Sequence, residues 1–172
     1  HRAAAVVLLV PGDRVEGASR DQQHQACIES LKRGAEVAEK HGLRLLLENI
    51  DQEENPRYYL TSVAEGFDII REVNHPRVKF LYDFYHEQIS KGNLIKKLTE
   101  NISFVGLIHV ADVHGRHQPG TGEIAYASIY RKLAELKYKD YVAMEFESEG
   151  ELVDTLRRAR EQAIEATNKS IF

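Results

Sequence analysis

A parallel α/β architecture, a TIM-type (β/α)8 barrel of which this chain supplies about the last five βα units, is the fold class the sequence predicts. Three observations point to it. Short aliphatic runs alternate five times with segments of helical period. The runs are apolar on both parities, as in strands covered on both faces. Ionisable residues stand at the carboxyl ends of four successive runs.

The first run is Ala3–Val10, closed by Pro11-Gly12. A helix follows from about Asp21 to Lys40, with Cys27, Ile28, Leu31, Ala35 and Ala38 at the helix period. His41-Gly42 ends it, glycine being at home in the left-handed conformation. Leu43–Glu48 is the second run. The spacing of Tyr59, Leu60, Val63, Phe67 and Ile70 predicts a helix over Arg57–Val73, stopped by Asn74 and Pro76. Val78–Asp83 is the third run, and a helical stretch weakened by Gly92 follows over Glu87–Glu100. Phe104–Val110 is the fourth run; it leads into a long loop, Ala111–Glu123, rich in glycine and histidine. A helix over Tyr126–Leu136, a fifth run over Tyr141–Phe146 and a helix over Glu151–Ala166 complete the pattern.

Strands that are each followed by a helix run parallel, because parallel neighbours need crossover connections. One unit takes about 35 residues, so eight would need roughly 280, the ordinary size of such a barrel. The 172 residues hold five. They form a single partial barrel domain over 1–172. An open doubly wound sheet of five strands is the competing arrangement. In a partial barrel, Val6, Leu8, Leu46 and Phe80 are expected to line the interior.

Composition narrows the function classes. Acidic residues number 27 and basic residues 23, well mixed, so no basic block invites nucleic acid. The longest apolar run is far short of the roughly 20 residues of a membrane span, and Ala3–Val10 carries no cleavage pattern of a secretory leader. The lone Cys27 cannot make an internal disulfide, which fits a reducing cytoplasmic setting. A small-molecule substrate, no nucleic acid and no membrane are therefore expected, and open strand edges allow a homo-oligomer.

The strand ends carry the chemistry. Glu48, Asp83, His109 and Glu145 each close an apolar run. Charged side chains in such positions are paired or bound to metal, and the carboxyl ends of barrel strands converge on one mouth. Two glutamates, an aspartate and a histidine suit one divalent cation, Mn²⁺ or Mg²⁺ by their oxygen ligands, with Co²⁺ or Zn²⁺ admitted by the imidazole. His86, just past Asp83, and Arg116, in the long loop, are candidate substrate contacts, since a guanidinium fork suits carboxylate and carbonyl oxygens. No GxGxxG follows a strand and no P-loop is present.

The motifs Leu45-Leu-Leu-Glu-Asn49, Tyr82-Asp-Phe-Tyr-His86, Ala111-Asp-Val-His-Gly-Arg-His-Gln-Pro-Gly-Thr-Gly-Glu-Ile124 and Ala143-Met-Glu-Phe146 resemble the hydroxypyruvate isomerase family. That family sits in the xylose-isomerase-like barrel superfamily, beside 2-oxo-tetronate isomerases and ketose 3-epimerases. The resemblance implies one divalent metal held by Glu48, Asp83, His109 and Glu145, with Glu48 and Glu145 as the acid–base pair and His86 and Arg116 on substrate oxygens. The expected reaction is aldose–ketose type isomerisation of a small hydroxy-oxo acid such as hydroxypyruvate, giving tartronate semialdehyde through an enediolate. Three positions depart from the family pattern. His109 stands where hydroxypyruvate isomerases carry glutamine and the epimerases histidine, His114 replaces a proline, and Ala125-Tyr126 replaces asparagine-tyrosine. A ketose 3-epimerase or a 2-oxo-tetronate isomerase is thus the nearest alternative. A metal-dependent phosphodiesterase is weaker, for want of more histidines and a basic surface. An inactive truncated barrel that binds a metabolite or partner is the non-enzymatic alternative.

Overall fold

The structure, a computed structural model, describes residues 6–167. Five strands, β1 (Val6–Leu9), β2 (Arg44–Glu48), β3 (Val78–Asp83), β4 (Val105–Val110) and β5 (Tyr141–Met144), form one parallel sheet in the order β1-β2-β3-β4-β5. The Ala3–Ala5 part of the first expected strand lies outside the described residues. Six helices connect or follow them: α1 (Arg20–His41), α2 (Val63–Val73), α3 (Phe84–Ser90), α4 (Leu94–Asn101), α5 (Tyr126–Glu135) and α6 (Leu152–Thr167).

The strand order decides between the two arrangements. A doubly wound sheet reverses its order at a switch point, whereas here every strand pairs with its sequence neighbours. Right-handed crossovers in an unreversed order place all helices on one face, and α1 packs on α2, α2 on α4, α4 on α5 and α5 on α6. The chain is a curled half of a barrel.

Local chemistry sets the element ends. Ser19 caps α1 with a reciprocal pair: its hydroxyl accepts from Gln22 N–H at 3.2 Å, and the Gln22 amide oxygen accepts from Ser19 N–H at 2.8 Å. Gly42, at φ 68°, closes the helix in the left-handed conformation. α2 begins at Val63 rather than Arg57. The backbone before it is taken by other partners: Tyr59 N–H donates to Gly12 O at 2.9 Å, and Ile50 N–H to Leu60 O at 3.1 Å. Tyr59 and Leu60 are buried as the expected helix face would be, but from a loop. The buried carboxylate of Glu87 then accepts from Val63 N–H at 3.1 Å and pairs with Lys97, which fixes where α2 starts. The stretch after β3 is two helices, broken where Gly92 and Asn93 both take positive φ.

Alternation along the strands separates two faces. Leu45, Leu47, Val78, Phe80, Tyr82, Ile108 and Val110 face the helices and build the main core. Phe80 therefore belongs to the helix layer and not, as expected, to the barrel interior: its ring packs 4.7 Å from that of Phe67 on α2. Gly66 makes room for it, since a Cβ there would stand 2.2 Å from the Phe80 ring. Leu46, Glu48, Leu81, Asp83 and His109 take the opposite face, toward the barrel axis.

Candidate metal and substrate site

The ladder register brings the predicted strand-end residues to one mouth. Glu48 pairs with Leu81, Asp83 with His109, and His109 with Ala143. Asp83 is thus two residues beyond Glu48's partner, and Glu145 two beyond Ala143, on the same face each time. The stagger belongs to strands tilted around a barrel. Glu145 N–H donates to Val110 O at 3.2 Å, so the ladder continues one step past β5 to hold this last residue.

Glu48, Asp83, His109 and Glu145 each present one ligand atom, and these atoms lie within 4.8 Å of one another. His109 Nδ1 is 2.9 Å from Glu145 Oε2, 3.6 Å from Glu48 Oε1 and 3.8 Å from Asp83 Oδ2. Asp83 divides its labour. Its Oδ1 caps α3, accepting from Tyr85 N–H at 2.7 Å and His86 N–H at 3.3 Å. Its Oδ2 is buried with no hydrogen-bond partner, and so is His109 Nδ1, whose approach to Glu145 lacks hydrogen-bond geometry. Two neighbouring buried polar atoms without a hydrogen bond are costly. A divalent cation between them would satisfy both, and the donor set of three carboxylates and an imidazole fits such an ion.

Ionisable groups this close shift one another's protonation. Burial pulls the His109 imidazole down, but Glu145, Glu48 and Asp83 outweigh it and hold its pKa up at about 9. Burial raises the Asp83 carboxyl. Burial also works to raise Glu145, yet His109 and Arg116 overcome it and bring the carboxyl down to about 2.

The two predicted substrate contacts flank this cluster. Arg116 Nη2 donates to Glu145 Oε2 at 2.8 Å and lies 3.7 Å from Asp83 Oδ2 and 3.4 Å from His86 Nε2. Its Nη1 pairs with Glu54, and its guanidinium lies over the Tyr85 ring, 5.0 Å from the centroid. The loop Ala111–Glu123 that delivers Arg116 is organised by Asp112. This buried carboxylate accepts from Ile124 N–H at 2.9 Å, Val113 N–H at 3.0 Å and Gly120 N–H at 2.8 Å. Gly122 must be glycine by close approach: a Cβ would stand 1.8 Å from Val113 O. His114 is exposed, and His117 turns away, its Nδ1 against Glu147 O at 2.9 Å.

Sequence reasoning missed Asp51, Glu54 and Asp112. Asp51 and Glu54 stand with His86 as a second group of ligand-type atoms. Their signal was available only as acidic residues shortly after Glu48, on a loop whose path the sequence does not reveal.

Comparison with known proteins agrees with the geometry. Residues 2–169 match the model of the family described as xylose isomerase-like TIM barrel. The hydroxypyruvate isomerase of Escherichia coli is 30% identical over 135 residues, 78% of this chain and 52% of that protein. The 2-oxo-tetronate isomerase of Haemophilus influenzae is 31% identical over 141 residues, 82% of this chain and 55% of that protein. The structure of a family 2 AP endonuclease from Brucella melitensis superposes with a TM-score of 0.82 at 26% identity, covering 88% of this chain and 58% of that one. The chain spans about half the length of the curated relatives it matches. With its unreversed half-barrel sheet and its strand-end carboxylates, the chain belongs to the xylose isomerase-like TIM barrel family.

Proposed function

We propose that this chain carries the metal and acid–base half of an isomerase that moves a carbonyl between adjacent carbons of a small hydroxy-oxo acid such as hydroxypyruvate. One observation carries the reading: four ligand atoms from four consecutive strands within 4.8 Å, with Asp83 Oδ2 and His109 Nδ1 buried among them without a hydrogen bond. The names of the relatives, hydroxypyruvate isomerase and 2-oxo-tetronate isomerase, support the substrate class.

Moving a carbonyl to the neighbouring carbon requires taking a proton from a carbon that is only weakly acidic, and returning it one atom away. Glu48, Asp83, His109 and Glu145 would hold a divalent ion, which would supply Lewis-acid stabilisation of negative charge on the substrate oxygens. Glu48 and Glu145, both beside His109 Nδ1, serve as the pair that removes and returns the proton. Arg116 and His86 hold substrate oxygens at the rim and fix which carbon lies under the base. Arg116 has a second effect. While it grips Glu145 in the free protein it keeps that carboxylate a weak base, and transferring the guanidinium to a substrate carboxylate releases it.

Returning the proton to the opposite face of the same carbon would give epimerisation with the same groups. His109 favours this second reading, since histidine is the ligand the ketose 3-epimerases carry at that place. Mn²⁺ titration followed by turnover assays on hydroxypyruvate, 2-oxo-tetronates and ketoses separates the readings. Saturable Mn²⁺ binding with hydroxypyruvate turnover is expected. Binding of Mn²⁺ without turnover of any of the three would leave a metal-binding protein and overturn the isomerase reading.

A further inference from the structure

His86 is held from behind by a residue that neither the proposed acid–base chemistry nor the proposed metal set uses. Asp51 and His86 are both fully buried, and Asp51 Oδ2 lies 2.7 Å from His86 Nδ1. The other carboxylate oxygen, Oδ1, is committed to the chain turn after β2, accepting from Glu53 N–H at 2.8 Å and Glu54 N–H at 2.9 Å. The carboxylate is thus locked in rotation by its own loop before it meets the imidazole.

That geometry fixes where the ring carries its proton. A bare Nδ1 would face a carboxylate oxygen at 2.7 Å, lone pair against lone pair, with only the Asp51 N–H, 3.5 Å away, to donate to it. A protonated Nδ1 donates a short charge-assisted bond instead. The neutral ring then has an unprotonated Nε2. That nitrogen points to the cluster, 3.4 Å from Arg116 Nη2, which can donate to it, and 3.7 Å from Asp83 Oδ2.

We propose that Asp51 is a positioning residue: it holds His86 as the Nδ1–H tautomer, so that Nε2 reaches the site as an acceptor for a substrate hydroxyl rather than a donor to a carbonyl. This rests on the isomerase reading for the presence of a substrate at His86, and it narrows that reading. The hydroxyl carbon of the hydroxy-oxo pair is placed under His86, and the anionic or carbonyl end is left to Arg116. The same atoms also explain why Asp51, Glu54 and His86 need no ion of their own. Asp51 spends both oxygens on hydrogen bonds, and Glu54 is paired with Arg116.

The test reads the tautomer directly. Two-bond ¹H–¹⁵N correlations on the metal-free, histidine-labelled chain at pH 8 should show His86 protonated at Nδ1 only. In Asp51→Asn, the amide oxygen stays on the turn N–H groups and the amide nitrogen faces the ring. It donates to Nδ1, and His86 should switch to the Nε2–H tautomer. With the acceptor lost, kcat/KM should fall by at least about tenfold while Mn²⁺ affinity at the four-residue site stays within about twofold, as for an outer partner that orients a site histidine. A wild-type ring protonated at Nε2, or at both nitrogens, overturns the proposal, and that spectrum decides even if the variant does not fold. A tautomer unchanged in Asp51→Asn overturns it, as does a second Mn²⁺ equivalent that this substitution removes. An Nδ1–H ring that switches in the variant, in a chain that turns over none of the substrates, upholds the tautomer and counts against the isomerase reading.

Discussion

The inner strands β2, β3 and β4 and the outer strands β1 and β5 are written in the same apolar code, yet they end in different surroundings. Glu48, Asp83 and His109 end or nearly end the inner strands and are buried. Glu145 follows an outer strand, and its side chain is 44% exposed. At the other margin, Val6 and Leu8 of β1 are 40% and 46% exposed. A strand with a neighbour on each side and a helix behind it closes its residues off from water; a strand with one neighbour does not. The metal-type site therefore has three rigid corners and one looser corner. The looser corner is tied by ion pairs to His109 and Arg116 instead of by packing.

The sharpest way to probe this contrast is at the looser corner itself. Glu145→Gln keeps the shape of the side chain and removes the base. Turnover of hydroxypyruvate should drop by about 10²- to 10⁴-fold in kcat, the usual worth of a positioned acid or base, with a much smaller change in KM. Unchanged kcat would remove Glu145 from proton transfer and leave Glu48 to act alone.

Stability should divide along the same line. Phe80→Ala empties the space between β3 and α2 and should cost about 3–5 kcal/mol. Gly66→Ala pushes a methyl group into the same ring and should cost about 1–3 kcal/mol. Val6→Thr, on the margin, should stay within about 0.5 kcal/mol. Urea melts rank the three. Equal costs at Phe80 and Val6 would erase the distinction between inner and outer strands.

Metal uptake should carry a pH signature from the buried corners. In the free site His109 keeps its proton up to a pKa of about 9, so an incoming cation must expel it. Below that pH, apparent Mn²⁺ affinity should weaken about tenfold per unit, and above it the dependence on this group should vanish. Glu145, held down at about 2, has no proton to lose over this range. Asp83, raised by burial, steepens the slope on the acid side. Titrations at pH 6, 7 and 8 test the sign; a flat profile would mean that His109 enters the site already neutral.

Much of this was legible in the sequence, and the failures are instructive. The five strands and the meeting of four ionisable strand-end residues at one mouth could be read because each is a local pattern: an apolar run closed by one ionisable residue. The start of α2 could not, because Tyr59 and Leu60 have helical spacing but spend their backbone on Gly12 and Ile50, partners distant in the chain or across a loop. Phe80 was assigned to the wrong face although its parity matches Tyr82, not Asp83; counting back from the ligand would have placed it correctly. Asp51 and Asp112 were invisible for a different reason. Each is a buried carboxylate whose work is to receive loop N–H groups or a histidine from elsewhere, and such partners exist only once the loops have closed.

The smallest expected change in folding free energy belongs to the β1 margin, where the effect appears in association instead. Val7, Leu9, Leu31, Leu45 and Leu47 line an apolar groove of about 610 Å³ between β1 and α1. Among the described residues β1 pairs only with β2, so its other edge offers free N–H and C=O groups beside that groove. An unpaired edge next to apolar surface is a site for pairing with another chain. The 172-residue chain should therefore scatter light as more than a monomer, with a mass that rises with concentration. Val7→Lys places a charge on the edge, the device by which natural edge strands resist pairing. It should shift the distribution toward monomer while moving the melting midpoint by no more than about 2 °C, since a lone substitution at an exposed position stays near 0.5 kcal/mol. A monodisperse monomer with one sharp melt would show that β1 is as well closed as β3, and the contrast between inner and outer strands would then rest on Glu145 alone.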